Sequence, residues 1–295
     1  AVKLKHLAHK PVVIYDVRDP YSQNIKDYIG GKTILKPLIN IFANYIDSWE
    51  KKCAKNYDFI ITNEENVRDI FTKIISPKKV DIIYNYTYLH KLRKEMPKYY
   101  DLVYCGGITE YRGAFQIIQA VKILKEDFPN IKMIFLGNFF TTKFKEKMKR
   151  EIEVNGLKEN IILKDSVPYH EVAEYYNKSK IGLGIFLPIR THEIILQIKI
   201  FEYMAMGVPI VGSNFGHINN YILKDNVGLT VDPTNSKKIA NAIKKLLTDK
   251  SLYNRLSENG VEAVHENYHW GIMEQKLFSI YDQLLLERDK LLIHG

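Results

Sequence analysis

Lys199 and Glu202 place a cation and a carboxylate one helical turn apart in the stretch of residues 199–213. The stretch predicts a helix that ends at Gly207 and Pro209 and is followed by a short apolar run. A cation can hold a phosphate group, and a carboxylate can accept hydrogen bonds from the hydroxyls of a ribose. The pair is therefore of a type that can bind a nucleotide.

A glycine-rich turn precedes another predicted helix. It contains Gly106, Gly107 and Arg112, and the helix begins at Gly113. Glycines let a ligand approach the backbone, the first N–H groups of a helix can bind an anion, and Arg112 adds a bidentate cation. A tight turn with a surface arginine explains the same residues equally well. The turn lacks the G-x-G-x-x-G spacing of a dinucleotide site.

Further polar side chains follow predicted strands, which is where open α/β sheets bind ligands. Arg190, His192 and Glu193 follow one strand and are of a type that contacts a sugar or a phosphate. A lone histidine in a loop is more often simply exposed. Arg18 and Asp19 end the first strand, and Asp19 could act on an acceptor hydroxyl. A turn or helix N-cap role before the following proline explains Asp19 equally well.

Two blocks of alternating strand and helix patterns must position these residues. The first block predicts strands at residues 11–17, 59–62 and 80–84. Its helix at residues 37–54 carries an apolar stripe, which predicts a core-facing helix, with a helix lying on a membrane surface as the alternative. The second block predicts strands at residues 101–106, 131–136, 161–163, 181–186, 209–211 and 228–231, a loop at 187–196, a helix broken at Gly260 and a last helix at 272–292. Apolar strands alternating with helices predict an α/β fold with parallel sheets.

The two blocks predict two domains. The first covers residues 1–97, the second covers residues 98–270, and a final helix at residues 271–295 is expected to return to the first domain. Three strands are few for a doubly wound domain. The first domain is therefore interpreted as incomplete, being either minimal or shortened at its N-terminus.

Net charge and cysteine content indicate which binding partners and which cellular compartment to expect for the protein. The net charge is +9, and residues 1–97 contain 17 Lys and Arg against 11 Asp and Glu. This excess favours an anionic partner such as a membrane surface, although scattered lysines are usually only solvated, and no nucleic-acid partner is expected. Cys53 and Cys105 lie outside any metal-binding spacing, and no apolar run reaches the roughly 18 residues of a membrane span. We expect a cytoplasmic protein without a metal, with peripheral contact at the inner face of the membrane as an open alternative.

In their order along the chain, these motifs resemble glycosyltransferase family 4, whose members have the GT-B fold. The resemblance covers residues 101–270 and is most specific in the stretch of residues 199–213. It is carried by residues 103–107, 111–113, 135–137, 167–169, 175–176 and 199–213, by Pro188 and Gly216, and by residues 225–228 and 268–270. Strand ends at residues 15–19, 60–62 and 82–85 fall where such proteins have strand ends in their first domain.

The resemblance implies two Rossmann-like domains that face each other across a cleft. It implies a hexosyltransferase of polysaccharide biosynthesis that moves a sugar from a UDP- or GDP-linked donor to a glycan or lipid-linked acceptor, with retention and without a metal or other cofactor. Arg112 falls on the family's phosphate-contacting base and Glu202 on the acid that contacts the ribose. The catalytic positions are Arg112, Lys199 and Asp19. The donor positions are Gly106, Gly107, Arg112, Gly137, Val167, Lys199, Glu202 and Gly216, and the sugar or acceptor positions are Arg18, Arg190, His192 and Glu193.

The sequence departs from the family pattern at three positions. The first phosphate-binding base of the turn, an arginine in many members, falls on Gly107. The first acid of the E-x7-E pattern falls on Ile194, with Glu193 one residue away. The histidine often found at a strand end of the first domain falls on Arg18. These departures indicate a shifted donor site in which Lys199 is used differently.

Two other classes of function fit parts of the pattern. A non-catalytic remnant that binds a nucleotide-sugar or a glycan would explain the incomplete first domain. An unrelated two-domain Rossmann oxidoreductase is disfavoured, because the chain lacks a G-x-G-x-x-G turn with an acid about 20 residues further on. Nucleotide binding without turnover would indicate the remnant, and NAD binding would indicate the oxidoreductase.

Overall fold

The computed structural model describes residues 11–18, 21–26, 34–89, 96–194 and 197–294. Its chain divides into two compact units. The first unit contains the described residues up to Tyr86 together with those from Trp270 onward, and the second contains Thr87–His269. Both units are built on parallel sheets, so the predicted α/β class is confirmed.

The first unit has a three-stranded parallel sheet in the order β1-β2-β3. Its elements are β1 (Ile14–Val17), α1 (Tyr21–Asn24), α2 (Lys36–Ala54), β2 (Phe59–Thr62), α3 (Glu65–Thr72) and β3 (Val80–Ile82). Ile60 on β2 and Phe71 on α3 are buried in the core of this unit. This core is small, as expected for a sheet of three short strands.

The apolar stripe of α2 faces outward, so the prediction of a core-facing helix is wrong. The side of α2 that is buried carries the small residues Ala43 and Ala54. Seven large apolar side chains on or just before the helix are between 57% and 99% exposed; we call this set the α2 stripe: Ile34, Leu35, Leu38, Ile41, Phe42, Tyr45 and Trp49. Periodicity predicts that a helix has an apolar face, but it does not predict what covers that face.

The last helix, α12 (Trp270–His294), groups with the first unit. Lys276 Nζ lies 2.7 Å from Asp81 Oδ1 on β3, and the sulfur of Met273 accepts a hydrogen bond from the Tyr84 amide. Ile280 is buried one turn further along the helix. This helix therefore supplies part of the packing around the three-stranded sheet.

The second unit has a six-stranded parallel sheet in the order β6-β5-β4-β7-β8-β9. Its strands are β4 (Tyr100–Cys105), β5 (Met133–Leu136), β6 (Ile161–Lys164), β7 (Ser179–Gly184), β8 (Ile210–Ser213) and β9 (Gly228–Val231). Its helices are α4 (Ala114–Asp127), α5 (Thr142–Val154), α6 (Tyr169–Asn177), α7 (Arg190–Ile194), α8 (Lys199–Ala205), α9 (Gly216–Lys224), α10 (Ser236–Thr248) and α11 (Lys250–Asn267). The order reverses between β4 and β7, which is the point where such sheets bind ligands at their carboxyl edge.

Two predicted local features of the second unit differ from the structure. The predicted loop at residues 187–196 contains the short helix α7. The predicted break at Gly260 does not occur, because α11 runs through it without interruption. A Cβ on Gly260 would lie 3.2 Å from the Cα of Met204, so this glycine lets two helices approach closely.

Candidate functional site

The glycine turn lies directly after β4, at the carboxyl edge of the second sheet. Gly106 has a φ of +116°, a conformation that favours glycine, and its amide donates to Leu136 O at 2.9 Å. Tyr104 Oη donates to Gly107 O at 2.9 Å. The turn is thus fixed by hydrogen bonds from both sides before any ligand binds.

Gly137, at the end of β5, supports this turn from behind. Its φ is +144°, and a Cβ on it would lie only 2.0 Å from Gly106 O. No side chain fits there without moving the turn. The structure therefore gives Gly137 a packing role beneath the turn, and sequence reasoning had assigned it to the donor site by resemblance alone.

The structure brings Arg112 and Lys199 together at the turn. A Cβ on Gly106 would lie 3.4 Å from Lys199 Nζ and 4.0 Å from Arg112 Nη1, and Arg112 Nη1 is 3.5 Å from Gly107 O. The two basic side chains come from different elements, since Arg112 precedes α4 and Lys199 opens α8. The turn is therefore flanked by two basic groups that lie 87 residues apart in the sequence.

The N-terminus of α4 opens beside the same turn. Gly113 is left-handed with a φ of +67°, and no side chain in the described part of the chain caps the first turn of the helix. A Cβ on Gly113 would lie 2.5 Å from the Ile185 side chain. The first amides of α4 can donate hydrogen bonds to an anion here, and they add the positive end of a helix dipole to the two basic side chains.

Lys199 is buried, with 4% of its surface exposed. Its Nζ lies 3.7 Å from the centroid of the Tyr104 ring, and among the described residues it has no hydrogen-bond partner. Burial lowers the pKa of this ammonium well below its usual value, and the neighbouring Arg112 lowers the pKa further. Cys105 and Glu202 act in the opposite direction with a smaller effect.

Glu202 lies three residues after Lys199 on α8 and is 7% exposed. Its Oε2 accepts a hydrogen bond from Tyr176 Oη at 2.8 Å, and the hydroxyl of Tyr169 also donates to this carboxylate. Burial raises the pKa of Glu202, while the two phenols and Lys199 oppose that rise. The carboxylate is thus held in a fixed position by α6, which carries both tyrosines.

A further phenol joins α8 to the end of β4. Tyr203 Oη accepts from the Cys105 amide at 3.2 Å and donates to Val103 O at 3.3 Å. The ring lies under β7, where a Cβ on Gly182 would be 2.5 Å from it. Sequence reasoning missed the role of this tyrosine. Its place beside Glu202 in the motif of residues 199–213 was the only signal that could have found it.

The segment of residues 187–194 contains an ion pair at the surface and a buried histidine. Arg190 pairs with Glu193 at 2.9 Å at the surface. His192 is buried, with Nδ1 2.9 Å from Leu187 O and its ring against Phe186, so the expectation of a simple surface histidine is wrong. Its contacts fix the loop that precedes α8.

Gly216 and Val167 are two further positions that were predicted to bind the donor. A Cβ on Gly216 would lie 3.0 Å from the Cα of Glu193, so this glycine lets α9 approach α7. Val167 is half-buried in the segment between β6 and α6, at the same edge of the sheet as the turn. Neither position is placed against the two cations by any hydrogen bond of the described residues.

In the first unit, Arg18 follows β1 and forms an ion pair with Asp16 at 2.6 Å. Its Nη1 also lies 3.5 Å from Asn85 Oδ1, and its backbone carbonyl accepts from Asn63 at 2.6 Å. Asp19 lies outside the described residues. Within the described ranges, no cluster of three His, Cys, Asp or Glu side chains is suited to a metal ion, and no helix has the length and apolarity needed to cross a bilayer.

Comparison with known sequences identifies relatives of this chain. A capsular polysaccharide biosynthesis glycosyltransferase, CapM of Staphylococcus aureus, is 25% identical over 96% of the chain and 73% of its own length. An alpha-D-kanosaminyltransferase of Streptomyces kanamyceticus is 26% identical over 62% of the chain and 45% of its own length. The chain thus spans less than half of the second relative.

Comparison with solved structures identifies the fold. Anabaena Alr3699/HepE in complex with UDP has a TM-score of 0.71 at 14% identity, covering 96% of this chain and 75% of that one. The sucrose-phosphate synthase of Thermosynechococcus elongatus has a TM-score of 0.70 at 16% identity, covering 93% and 68%. These likenesses confirm the predicted GT-B-like, Rossmann-like architecture. The family model of the Glycosyl transferases group 1 matches residues 90–263, more than half of the chain, and the chain therefore belongs to that family.

Proposed function

We propose that the chain transfers a sugar from a nucleoside diphosphate sugar to a glycan or lipid-linked acceptor, as a family 4-like hexosyltransferase. One observation carries the proposal: Arg112 and Lys199 meet at a glycine turn beside the open N-terminus of α4. A site with two cations and free backbone amides suits a diphosphate better than a single phosphate or a neutral ligand. We propose, from the resemblance to family 4, that Glu202, one turn along α8, accepts hydrogen bonds from a ribose.

The donor is proposed to be UDP- or GDP-linked. Support for a uridine nucleotide comes from HepE, whose solved structures contain UDP and UDP-glucose. In the proposed reaction, the bond between the sugar's anomeric carbon and the diphosphate oxygen breaks, and a bond from that carbon to an acceptor oxygen forms. The leaving diphosphate takes the electron pair of the broken bond and gains negative charge, and the proton of the acceptor hydroxyl passes to that diphosphate or to water.

This chain's contribution is to position the donor and stabilise that charge. Arg112, Lys199 and the first amides of α4 are fixed before the ligand arrives, so little reorganisation is needed as charge develops. We propose that these groups replace a metal ion in this role. Retention of configuration is proposed from the resemblance to family 4. The roles of Asp19, Arg18, Arg190, His192 and Glu193 toward sugar or acceptor remain proposals.

A binding experiment tests the donor site. Thermal shift with UDP, GDP, ADP and NAD should show stabilisation by UDP or GDP, of about 2.7 kcal/mol at 100 times the dissociation constant. Arg112→Ala should weaken nucleoside diphosphate binding far more than uridine or guanosine binding, because only the diphosphates carry the charge. Arg150→Ala, which removes an exposed arginine of α5, is the matched control and should change neither.

The outcomes separate the alternatives. Binding of UDP or GDP without sugar transfer to any acceptor would favour a non-catalytic binding protein. Stabilisation by NAD alone would favour the oxidoreductase. An equal loss of nucleoside and nucleoside diphosphate binding in Arg112→Ala would mean that Arg112 supports the fold and does not contact phosphate.

We further propose that the first unit contacts an anionic membrane surface from the cytoplasmic side, where a lipid-linked acceptor would lie. Support comes from the α2 stripe, whose Trp49 and Tyr45 are of the types that insert at a lipid interface. Lys36, Lys52 and Lys55 are exposed on or beside the same helix. Exposed apolar side chains flanked by lysines favour an anionic bilayer over a neutral one.

Co-sedimentation with phosphatidylcholine vesicles, with and without phosphatidylglycerol, tests this surface. Binding should need the anionic lipid and should be lost in Ile41→Glu. Leu223→Glu, at an exposed leucine of α9 in the second unit, should leave it unchanged. Equal binding to both vesicles, or a dimer in solution that Ile41→Glu dissociates, would contradict the membrane proposal.

A further inference from the structure

Lys199 Nζ is enclosed in the ligand-free protein. It has almost no contact with solvent, and no atom of the described residues forms a hydrogen bond with it. A Cβ on Gly106 would lie only 3.4 Å from this amine, so Nζ lies directly against the glycine turn. The Lys199 amine thus lies at the proposed diphosphate site without a hydrogen-bond partner among the described residues.

The groups that face Lys199 come from four parts of the second unit. Tyr104 and Cys105 lie on β4, Arg112 lies before α4, and Glu202 lies on its own helix. The Phe186 ring, after β7, lies 5.3 Å from Nζ. Arg112 opposes a charge on Lys199, whereas Glu202, the Cys105 thiol and the two rings favour one.

Magnitudes decide between the two protonation states. A desolvated cation over an aromatic ring gains about 2 kcal/mol. Removing an ammonium from water costs several kcal/mol even after relaxation, and the nearby guanidinium adds repulsion. Glu202 gives little compensation, because its carboxylate is already engaged by Tyr176. The uncharged amine therefore has the lower free energy in the empty site.

We infer that Lys199 is uncharged in the ligand-free protein and takes up one proton when a nucleoside diphosphate binds at the turn. The proton comes from solvent and adds to the Nζ lone pair, and no other bond changes. The diphosphate supplies the negative charge that the empty site lacks, and it outweighs the repulsion from Arg112. The inference rests on the proposed donor site. It adds a property that nucleotide binding by itself does not require, namely that the affinity for a nucleoside diphosphate falls as pH rises.

Calorimetry at about pH 8 measures this proton directly. At that pH the terminal phosphate of UDP or GDP is already ionised, since its second pKa is about 6. UDP and GDP are each titrated in buffers of different ionisation enthalpy, and the slope of binding enthalpy against that enthalpy gives the protons taken up. The wild type should take up about one proton. Lys199→Arg should bind with a slope near zero, because a guanidinium stays charged throughout.

A second measurement does not depend on the ligand. With lysine labelled at Cε by ¹³C, the resonance missing in Lys199→Arg belongs to Lys199, and its titration midpoint can be followed in the free protein. A midpoint well below the ordinary 10.4 that rises when UDP or GDP is added supports the inference. If UDP or GDP binds to the wild type but the slope of binding enthalpy against buffer ionisation enthalpy is near zero, the inference is wrong and the proposed function stands. A titration midpoint of Lys199 near 10.4 in the free protein has the same meaning. Failure of both nucleotides to bind overturns the proposed function together with the inference.

Discussion

Replacing Tyr203 with phenylalanine removes one oxygen atom from beneath the glycine turn. The β4–β7 pairing ends at Val103 and Gly182, and beyond it the Cys105 amide donates to Tyr203 Oη. The Tyr203 hydroxyl thus accepts the hydrogen bond that a backbone carbonyl of β7 would accept if the pairing of β4 and β7 continued. Because the ring remains, its packing against Gly182 does not change.

The expected cost can be worked from these contacts. A buried amide left without a partner costs about 1–3 kcal/mol, and the lost bond to Val103 O adds about 1 kcal/mol. Relaxation of the turn recovers part of this, so we expect the free energy of unfolding to fall by about 2 kcal/mol. For a unit of this size, that corresponds to about 4–8 °C in melting temperature.

Differential scanning calorimetry checks the expectation, with Tyr253→Phe as the matched control. Tyr253 Oη donates to Lys180 O at 3.0 Å, on the same strand β7 but near its other end. This control should cost about 1 kcal/mol and leave UDP or GDP affinity unchanged, whereas Tyr203→Phe should also weaken binding. If Tyr203→Phe melts within about 1 °C of the wild type, or both variants lose affinity equally, the reasoning about the turn is wrong.

Three further changes have defined outcomes. Gly137→Ala should lower the free energy of unfolding, measured in urea, by about 3 kcal/mol or more, because backbone strain and a clash with Gly106 combine. Gly156→Ala has no described atom within 4 Å of its Cβ position and should lower it by only about 1–2 kcal/mol, from strain alone. Equal losses would refute the packing role of Gly137. The raised pKa of Glu202 means that its contribution to stability is complete below the unfolded pKa and is lost as pH rises through the folded pKa. The stability of Glu202→Gln relative to wild type should therefore increase from pH 4 to pH 8, and a constant difference would contradict this. Leu284→Asp, on the buried side of α12, should strongly increase hydrogen exchange of the backbone amides in β1–β3. Leu285→Asp, on the exposed side of the same helix, should not. Equal effects of the two variants would contradict the packing of this helix in the first unit.

The sequence predicted the parts of the site that depend on neighbouring residues. The stretch of residues 199–213 forms a helix followed by a strand, and the glycine turn follows β4, because capping, glycine conformation and apolar runs are local properties. Arg112 was predicted from its place after a strand, where open α/β sheets bind ligands, and its shared role with Lys199 was predicted from the resemblance to glycosyltransferase family 4.

The parts that failed depend on contacts between distant residues. Tyr203 meets the Cys105 amide across 98 positions of sequence, and no periodicity predicts such a bond. Gly260 looked like a helix break, yet it is a close contact with α8. The α2 stripe has the periodicity of a core helix, and only the structure shows which side is covered.

Gly107 has a consequence for how this site could change by mutation. It has no positive φ, and a Cβ on it would meet only the Arg112 guanidinium, at 3.2 Å from Nη1. A basic side chain at this position would therefore compete with Arg112 for the same small volume. Gly107 thus leaves the space that the Arg112 guanidinium occupies, and a larger side chain here would displace that guanidinium from the turn.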